Sequence, residues 1–227
     1  MRKISVVFWS VLVIAAVAIV GLISYQMLGT TRVKKATTTN GTSVQETSKA
    51  VKRQSPQTKK RTLIVYFSRA GQNYPDVNLK VGYTAQIANI IAKRTGADKY
   101  EIVPANAYPK NYHATVERAT REQNENARPK IKKALPNMKK YDTIFLGYPI
   151  WDAQMPMIMH TFMEAENMNG KTIIPFSTNS GSAWANSLTT IRKQYPKATL
   201  RKGFEVPGAE VKDSHAQINS WLKKLRY

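Results

Sequence analysis

The sequence predicts an α/β fold, a doubly wound sheet of five parallel strands with helices on both faces, preceded by one transmembrane helix. From residue 62 onward, short apolar runs rich in β-branched and aromatic residues alternate with helical patterns. Such alternation requires right-handed crossovers and a parallel sheet. Before this region, residues 4–28 contain no charged side chain. The chain therefore divides into a membrane segment at 1–28, a linker at 29–61 and a folded domain at 62–227.

The first segment is long enough to cross a bilayer. Its 25 uncharged residues would span roughly 37 Å as a helix, against a hydrocarbon core of about 30 Å. A cleaved signal peptide is the alternative, because Ala16-Val17-Ala18 offers a small-x-small site. Cleavage there would leave the apolar residues 19–28 as the new N-terminus, so we expect a retained single-pass anchor in the cell membrane. Basic residues flank both ends, and the short basic start of the chain favours an extracytoplasmic domain.

The linker and the distribution of charge narrow the choice of partners. Residues 29–61 are basic and rich in Thr and Lys, and they show no helical or strand period, which predicts a disordered spacer. Residues 1–61 carry 11 Lys and Arg against Glu46 alone, and residues 62–227 carry 24 against 13 acidic residues. Nearly half of the net charge of +21 thus belongs to the anchor and the spacer. The pattern favours an anionic lipid or cell-envelope polymer nearby, and it argues against specific nucleic-acid recognition.

The strand and helix predictions follow from the period of the apolar residues. Continuous apolar runs predict strands buried on both faces, and apolar residues three and four apart predict helices. Strong strands are predicted at 62–67, 141–148 and 172–176, and weaker strands at 99–103 and 200–206. Helices are predicted at 85–94, 114–126, 157–166, 183–194 and 214–225.

The loops that follow the strong strands carry the predicted site. In doubly wound sheets, ligands bind beyond the carboxyl ends of the strands, where the strand order reverses. The segments at 68–73 and 177–182 are rich in Ser, Asn and Gly, and the segment at 147–152 presents aromatic residues. Hydroxyls and backbone N–H groups at a helix start suit a phosphate, and apolar walls suit a flat ring. Together they predict a mononucleotide such as FMN.

Four segments in order, LIVYFSRAGQNY, LKVGYTAQIA, YDTIFLGYPIWDAQMPM and GKTIIPFSTNSGS, resemble the flavodoxin-like family, and most of all bacterial members with a lengthened first loop. The resemblance covers residues 62–227. It implies a flavodoxin-like sheet in the order 2-1-3-4-5 that binds FMN noncovalently. The implied FMN-binding residues are Ser68, Arg69, Ala70 and Thr84 around the phosphate, Pro149, Ile150, Trp151 and Asp152 at the isoalloxazine ring, and Thr178, Asn179, Ser180, Gly181 and Ser182 on its other side.

This sequence departs from the family pattern at several of these positions. Members of this type often show a second Trp and then Gly where Asp152 and Ala153 stand. They often have Asn in place of Tyr83 and His in place of Asn179. A carboxylate at Asp152 would disfavour the anionic reduced ring, so we expect it to lower the reduction potential.

Several other kinds of site are excluded or disfavoured. The chain has no Cys, which excludes disulfides, Cys-ligated metals and thiol nucleophiles. No GxxxxGK sequence exists, and no GxGxxG follows the first strand. His113, His160 and His215 lack metal-ligand spacing, so we predict no metal site and assign no catalytic residue.

The sequence therefore predicts a membrane-anchored flavoprotein that transfers electrons to a redox partner protein or a small-molecule acceptor. An FMN-dependent NAD(P)H:quinone-type oxidoreductase is the alternative, because the lengthened loop at 72–80 and the region at 106–111 could shape a substrate site. A second alternative is a non-redox basic protein that binds an anionic surface. The choice between electron carrier and enzyme stays open at this point.

Overall fold

The computed structural model of the chain describes residues 61–227. The predicted anchor at 1–28 and residues 29–60 of the predicted linker lie outside the described residues. Within 61–227, no helix is long and apolar enough to cross a membrane. The strands are β1 (Thr62–Tyr66), β2 (Gly71–Asn73), β3 (Val77–Leu79), β4 (Asp98–Glu101), β5 (Thr143–Pro149), β6 (Thr172–Asn179), β7 (Thr199–Leu200) and β8 (Phe204–Pro207). The helices are α1 (Tyr83–Thr95), α2 (Tyr112–Asn124), α3 (Met157–Ala165), α4 (Ser187–Gln194) and α5 (His215–Lys224), with short 3₁₀ helices at Met138–Lys140 and Gly208–Asp213.

A parallel sheet forms the centre of the domain. Its strands run in the order β4-β1-β5-β6-β7, and β8 also pairs with β6. Every neighbouring pair in this sheet is parallel. With β7 and β8 counted as one interrupted fifth strand, this is the predicted order 2-1-3-4-5. The order reverses between β1 and β5, so the carboxyl ends of these two strands mark the switch point.

The sheet is buried on both faces, as the continuous apolar runs predict. Along β1 and into the following residue, Leu63, Val65 and Phe67 join one core cluster, whereas Ile64 and Tyr66 join the other. This alternation follows from the two-residue period of a strand. The first cluster is covered by α3 and α4, and the second is covered by α1 and α5.

Most element boundaries lie within three residues of the sequence prediction, and two predicted elements differ more. The fifth strand was predicted without interruption over 200–206, but it is broken between Leu200 and Phe204. Opposite the break lies Pro175 of β6, which has no N–H to donate to a neighbouring strand. The fourth helix was predicted from residue 183 and begins at Ser187. Ala183 and Ala185 have φ angles of 49° and 43°, which lie in the left-handed region and are incompatible with a right-handed helix.

The lengthened first loop contains a hairpin that the sequence did not predict. Strands β2 and β3 pair antiparallel, with Gln72 opposite Asn78. The hairpin is fastened to the segment before α2, because the Gln72 N–H donates to the Lys110 carbonyl at 2.9 Å. The Gln72 side-chain oxygen also accepts the N–H of Tyr112 at 3.1 Å. The hairpin and the start of α2 therefore form one connected wall beside the carboxyl end of β1.

A buried carboxylate ties α2 to the loop before it. Glu122 is 7% exposed. Its carboxylate accepts a 2.7 Å hydrogen bond from the Tyr108 hydroxyl and another of 2.7 Å from Arg118 Nε. The Arg118 guanidinium also lies 4.0 Å from the centre of the Tyr108 ring. Each polar group of this cluster thus has a partner, and burial together with the bond to Glu122 raises the pKa of Tyr108.

We expect Glu122→Gln to lower the free energy of unfolding by about 3 kcal/mol, because it leaves the Arg118 cation without its buried counter-charge. The matched control is Glu164→Gln, which breaks an ion pair of the same 2.7 Å length between Arg128 and the more exposed Glu164. That control should cost less than about 1 kcal/mol. Urea unfolding of the full-length chain measures both values, and equal losses would contradict the buried role of Glu122.

Candidate functional site

A cavity of about 470 Å³ opens at the carboxyl ends of β1, β5 and β6, and we refer to it as the switch-point cavity. It contains most of the residues predicted from the sequence. The predicted residues in its lining are Ser68, Arg69, Thr84, Pro149, Ile150, Trp151, Asp152, Thr178, Asn179, Ser180 and Ser182. Ala70 and Gly181 do not line it.

One end of the cavity is the start of α1. The Ser68 hydroxyl accepts the N–H of Ala85 at 3.1 Å, so a residue of the first loop caps the helix. This contact requires glycine at position 82, because a Cβ there would collide with the Ser68 hydroxyl and the Arg69 carbonyl. The first N–H groups of a helix have no acceptor inside it, which leaves those of Tyr83 and Thr84 for an anion.

Two threonine hydroxyls connect this helix start to β6. The Oγ1 atoms of Thr84 and Thr178 are 2.9 Å apart, and the two residues are 1% and 4% exposed. One hydroxyl donates to the other, and the accepting hydroxyl keeps its own proton. That proton can be donated to an anion in the cavity. Thr178 therefore lies beside Thr84, which the resemblance assigns to the phosphate, although the same resemblance assigns Thr178 to the far side of the ring.

Arg69 holds the hairpin in place. Its guanidinium donates to the carbonyls of Ala70 at 3.2 Å, Pro109 at 3.1 Å and Lys110 at 3.3 Å, and also to that of Gln72. Burial lowers the pKa of Arg69. Its two terminal nitrogens are thus used within the protein, whereas its buried Nε has no hydrogen-bond partner within residues 61–227. The helix-start end of the cavity is otherwise formed by neutral hydroxyls and N–H groups.

The other end of the cavity is aromatic. The Trp151 ring meets Phe67 edge-on, with centroids 5.4 Å apart, and Tyr108 at 5.1 Å. The Trp151 carbonyl accepts a 2.8 Å hydrogen bond from Gln123 on α2. Trp151 is therefore fixed on several sides and supplies a rigid apolar wall. Next to it, Asp152 is exposed and has a φ angle of 48°.

Asn179 shapes the loop after β6. Its side-chain amide donates to the Glu205 carboxylate at 2.7 Å, and its oxygen accepts the Gly181 N–H at 2.7 Å. Gly181 has a φ of 102°, a conformation that favours glycine. Gly181 thus supports the loop through its N–H, although it does not line the cavity.

The sequence prediction missed one whole wall of the cavity. The missed lining residues are Asn73, Tyr74, Tyr83, Tyr112, Thr115, Val116, Ala119, Thr120, Ala153 and Gly208. Five of them, Tyr112, Thr115, Val116, Ala119 and Thr120, lie on α2 at spacings of three and four residues. This spacing indicates one face of a helix, but it does not indicate which part of the protein that face contacts. Gly208 follows the fifth strand, so the rule used for the other loops could have found it.

Comparison with known proteins decides the family. The family described as Flavodoxin matches residues 61–225. The chain belongs to the flavodoxin family. It is a flavodoxin-like flavoprotein, and the family match supports FMN as its cofactor.

Solved structures agree with this family. A protein described as a flavoprotein from Bacteroides eggerthii is 31% identical and has a TM-score of 0.60, with 74% of this chain and 99% of that chain covered. One from Bacteroides uniformis is 32% identical with a TM-score of 0.59, covering 72% and 98%. A flavoprotein in complex with FMN from Lactobacillus acidophilus shares the fold at 19% identity and a TM-score of 0.50, covering 68% and 98%. No curated protein matches the chain.

We expect Gly82→Ala to weaken FMN binding about tenfold, because the added Cβ displaces the first loop from the start of α1. The overpacking should also lower the free energy of unfolding by about 1–3 kcal/mol. The control is Gly96→Ala at the other end of α1, where φ is 66° and a Cβ would meet no atom within 4 Å. That variant should lose about 1 kcal/mol of stability and keep its FMN affinity. Flavin fluorescence titration of both variants measures the affinities, and an equal loss in the two would contradict the role of Gly82.

Proposed function

We propose that this flavodoxin-like protein is anchored in the membrane, binds FMN noncovalently in the switch-point cavity and transfers electrons. The observation that carries the proposal is the division of one cavity into two chemically different ends. One end offers uncharged hydrogen-bond donors around a helix start, and the other offers a fixed indole and an apolar strand end. This is the combination that a phosphate joined to a flat ring requires.

Each end has a separate task in this proposal. Ser68, Thr84 and Thr178 hold the phosphate, while Ile150 and Trp151 orient the ring and exclude water from it. FMN supplies the redox chemistry when it is bound. Electrons then pass to a redox partner protein or to a small-molecule acceptor that reaches the open mouth of the cavity.

The membrane anchor is supported by the uncharged residues 4–28. Their length matches the hydrocarbon core, and the basic linker would keep the domain close to anionic lipid or cell-envelope polymer. We propose that the domain lies outside the cytoplasm. Protease added to intact cells should then cleave the linker. Protection of the linker would contradict this orientation and would place the domain on the cytoplasmic side.

The experiment that tests the cofactor is a flavin titration of the full-length chain, purified in mild detergent and freed of bound flavin. FMN should bind at least tenfold more tightly than riboflavin, which lacks the phosphate. Thr178→Val should lower FMN affinity about tenfold, because it removes a hydroxyl proton from the phosphate end. Riboflavin affinity should stay within twofold, which makes riboflavin the internal control. A chain that cannot be reconstituted with FMN would overturn the proposal and leave the non-redox alternative.

A second candidate function is an FMN-dependent NAD(P)H:quinone-type oxidoreductase. It is favoured by the mouth of the cavity, where Tyr74 at the hairpin is 57% exposed and Val116 on α2 is 42% exposed. These side chains offer apolar surface beyond the aromatic wall, as a flat apolar substrate requires. NADH oxidation that depends on an added quinone, with a KM for the quinone that rises in Tyr74→Ser, would favour the enzyme over the carrier.

We expect Asp152→Asn to raise the midpoint potential of bound FMN, because it removes a negative charge beside the ring. Two unit charges about 4 Å apart in water interact by about 1 kcal/mol, so the rise should be on the order of 20 mV for a two-electron couple. Potentiometric titration measures it, with Asp76→Asn as the control, since Asp76 does not line the cavity. An unchanged or lowered potential would refute the role of Asp152.

A further inference from the structure

A second cavity lies at the break in the fifth strand, and we refer to it as the strand-gap cavity. The β6–β7 pairing ends where Ile173 meets Leu200, and the β6–β8 pairing resumes where Phe176 meets Phe204. Pro175 lies opposite the gap and has no N–H to close it. Gly203 passes so close that a Cβ there would collide with the Pro175 carbonyl and the Trp184 ring. The gap is therefore encoded by particular residues on both of its sides.

The strand-gap cavity has an apolar floor and a cationic rim. Its volume is about 240 Å³. The lining consists of Pro175, Trp184, Leu188 and Leu200 on the apolar side, Arg192, Arg201 and Lys202 as cations, and Gly203. None of these residues lines the switch-point cavity. A ligand here would consequently occupy a site separate from the proposed FMN site.

The three cations of this rim have no acidic partner. None of the ion pairs within residues 61–227 involves Arg192, Arg201 or Lys202. The sequence also contains no Asp or Glu between residues 167 and 204, a stretch that carries six Lys and Arg. Three like charges around one small hollow repel each other, and an anion placed among them would relieve that repulsion. The rim therefore favours a negatively charged ligand.

From this arrangement we propose that the strand-gap cavity binds a small organic anion with a flat apolar body, such as an aromatic carboxylate. The indole of Trp184 and the side chains of Leu188 and Leu200 contact the ring, and the Arg192 and Arg201 guanidinium groups bind the carboxylate. The volume lies below the roughly 300 Å³ at which drug-sized pockets begin, so the ligand has one or two rings. An inorganic anion would leave the apolar floor uncovered.

The test compares two probes with the same ring system, 2-naphthoate and the uncharged 2-naphthalenemethanol, by isothermal titration calorimetry on the full-length chain. Naphthoate should bind saturably with one site and at least tenfold more tightly than the alcohol. The double variant Arg192→Gln/Arg201→Gln should weaken naphthoate binding at least tenfold. Trp184→Leu should weaken both probes.

The control is Lys193→Gln/Lys197→Gln, which removes the same charge from the same acid-free stretch at two exposed residues outside the lining. It should change naphthoate affinity less than twofold. If both double variants lost naphthoate affinity equally, the anion would be attracted by net charge alone, and the proposed site would be overturned. Equal affinity for both probes, or the absence of saturable binding, would also overturn it. Thermal unfolding and FMN titration of each variant establish that it is folded, and the outcome does not depend on whether FMN binds.

Discussion

The contact of the first loop with the start of α1 is the constraint on which the rest of the site depends. Only glycine fits at position 82, because Ser68 and the Arg69 carbonyl occupy the space of a Cβ. That fit lets the Ser68 hydroxyl cap the helix, and it sets the helix start against β6 through the Thr84–Thr178 hydroxyl pair. The same contact also positions Arg69, the residue after Ser68. The Arg69 guanidinium bonds the segment before α2 and so connects that segment to the hairpin. The proposed phosphate site, the position of α1 and one wall of the cavity thus all depend on this contact.

The switch-point cavity differs in charge from the domain around it. Residues 62–227 carry 24 basic residues against 13 acidic ones, yet the charged residues in the cavity lining are Arg69 and Asp152 alone. The guanidinium group of Arg69 donates its hydrogen bonds to backbone carbonyls. The excess of positive charge is therefore carried by other surfaces, including the stretch from 167 to 204, which has no acidic residue. Such a separation lets the surface attract anions, while the environment of the proposed FMN ring would be governed by Asp152, aromatic contacts and backbone dipoles.

The parts of the fold that depend on local pattern could be predicted, and those that depend on contacts between distant residues could not. The apolar run at 62–67 indicates burial on both faces, which is why β1 was predictable, whereas the strand order was implied by the resemblance to the flavodoxin-like family. The break at 201–203 depends on Pro175, which lies some 25 residues earlier in the sequence. The local sequence of the fifth strand therefore does not reveal the break. The same holds for the site. Ser68 follows β1 closely and Thr178 lies at the carboxyl end of β6, so both obey a topological rule. Val116 and Tyr112 instead lie on α2, whose start is bonded to the hairpin, and no local pattern indicates that this helix face lines the cavity.

The segment between β6 and α4, where the helix begins later than predicted, contributes to both cavities. Ser182 lines the switch-point cavity and Trp184 lines the strand-gap cavity, although a single residue separates them. Ala183 and Ala185 have left-handed φ angles, so the chain is not helical at Trp184. In a regular helix starting at 183, the direction of the Trp184 side chain would be fixed by the helical period. The segment is held to the aromatic end by the Asn186 N–H, which donates to the Ala153 carbonyl at 3.2 Å. An anion seated against Trp184 would therefore contact the same short segment that forms part of the wall of the proposed FMN site.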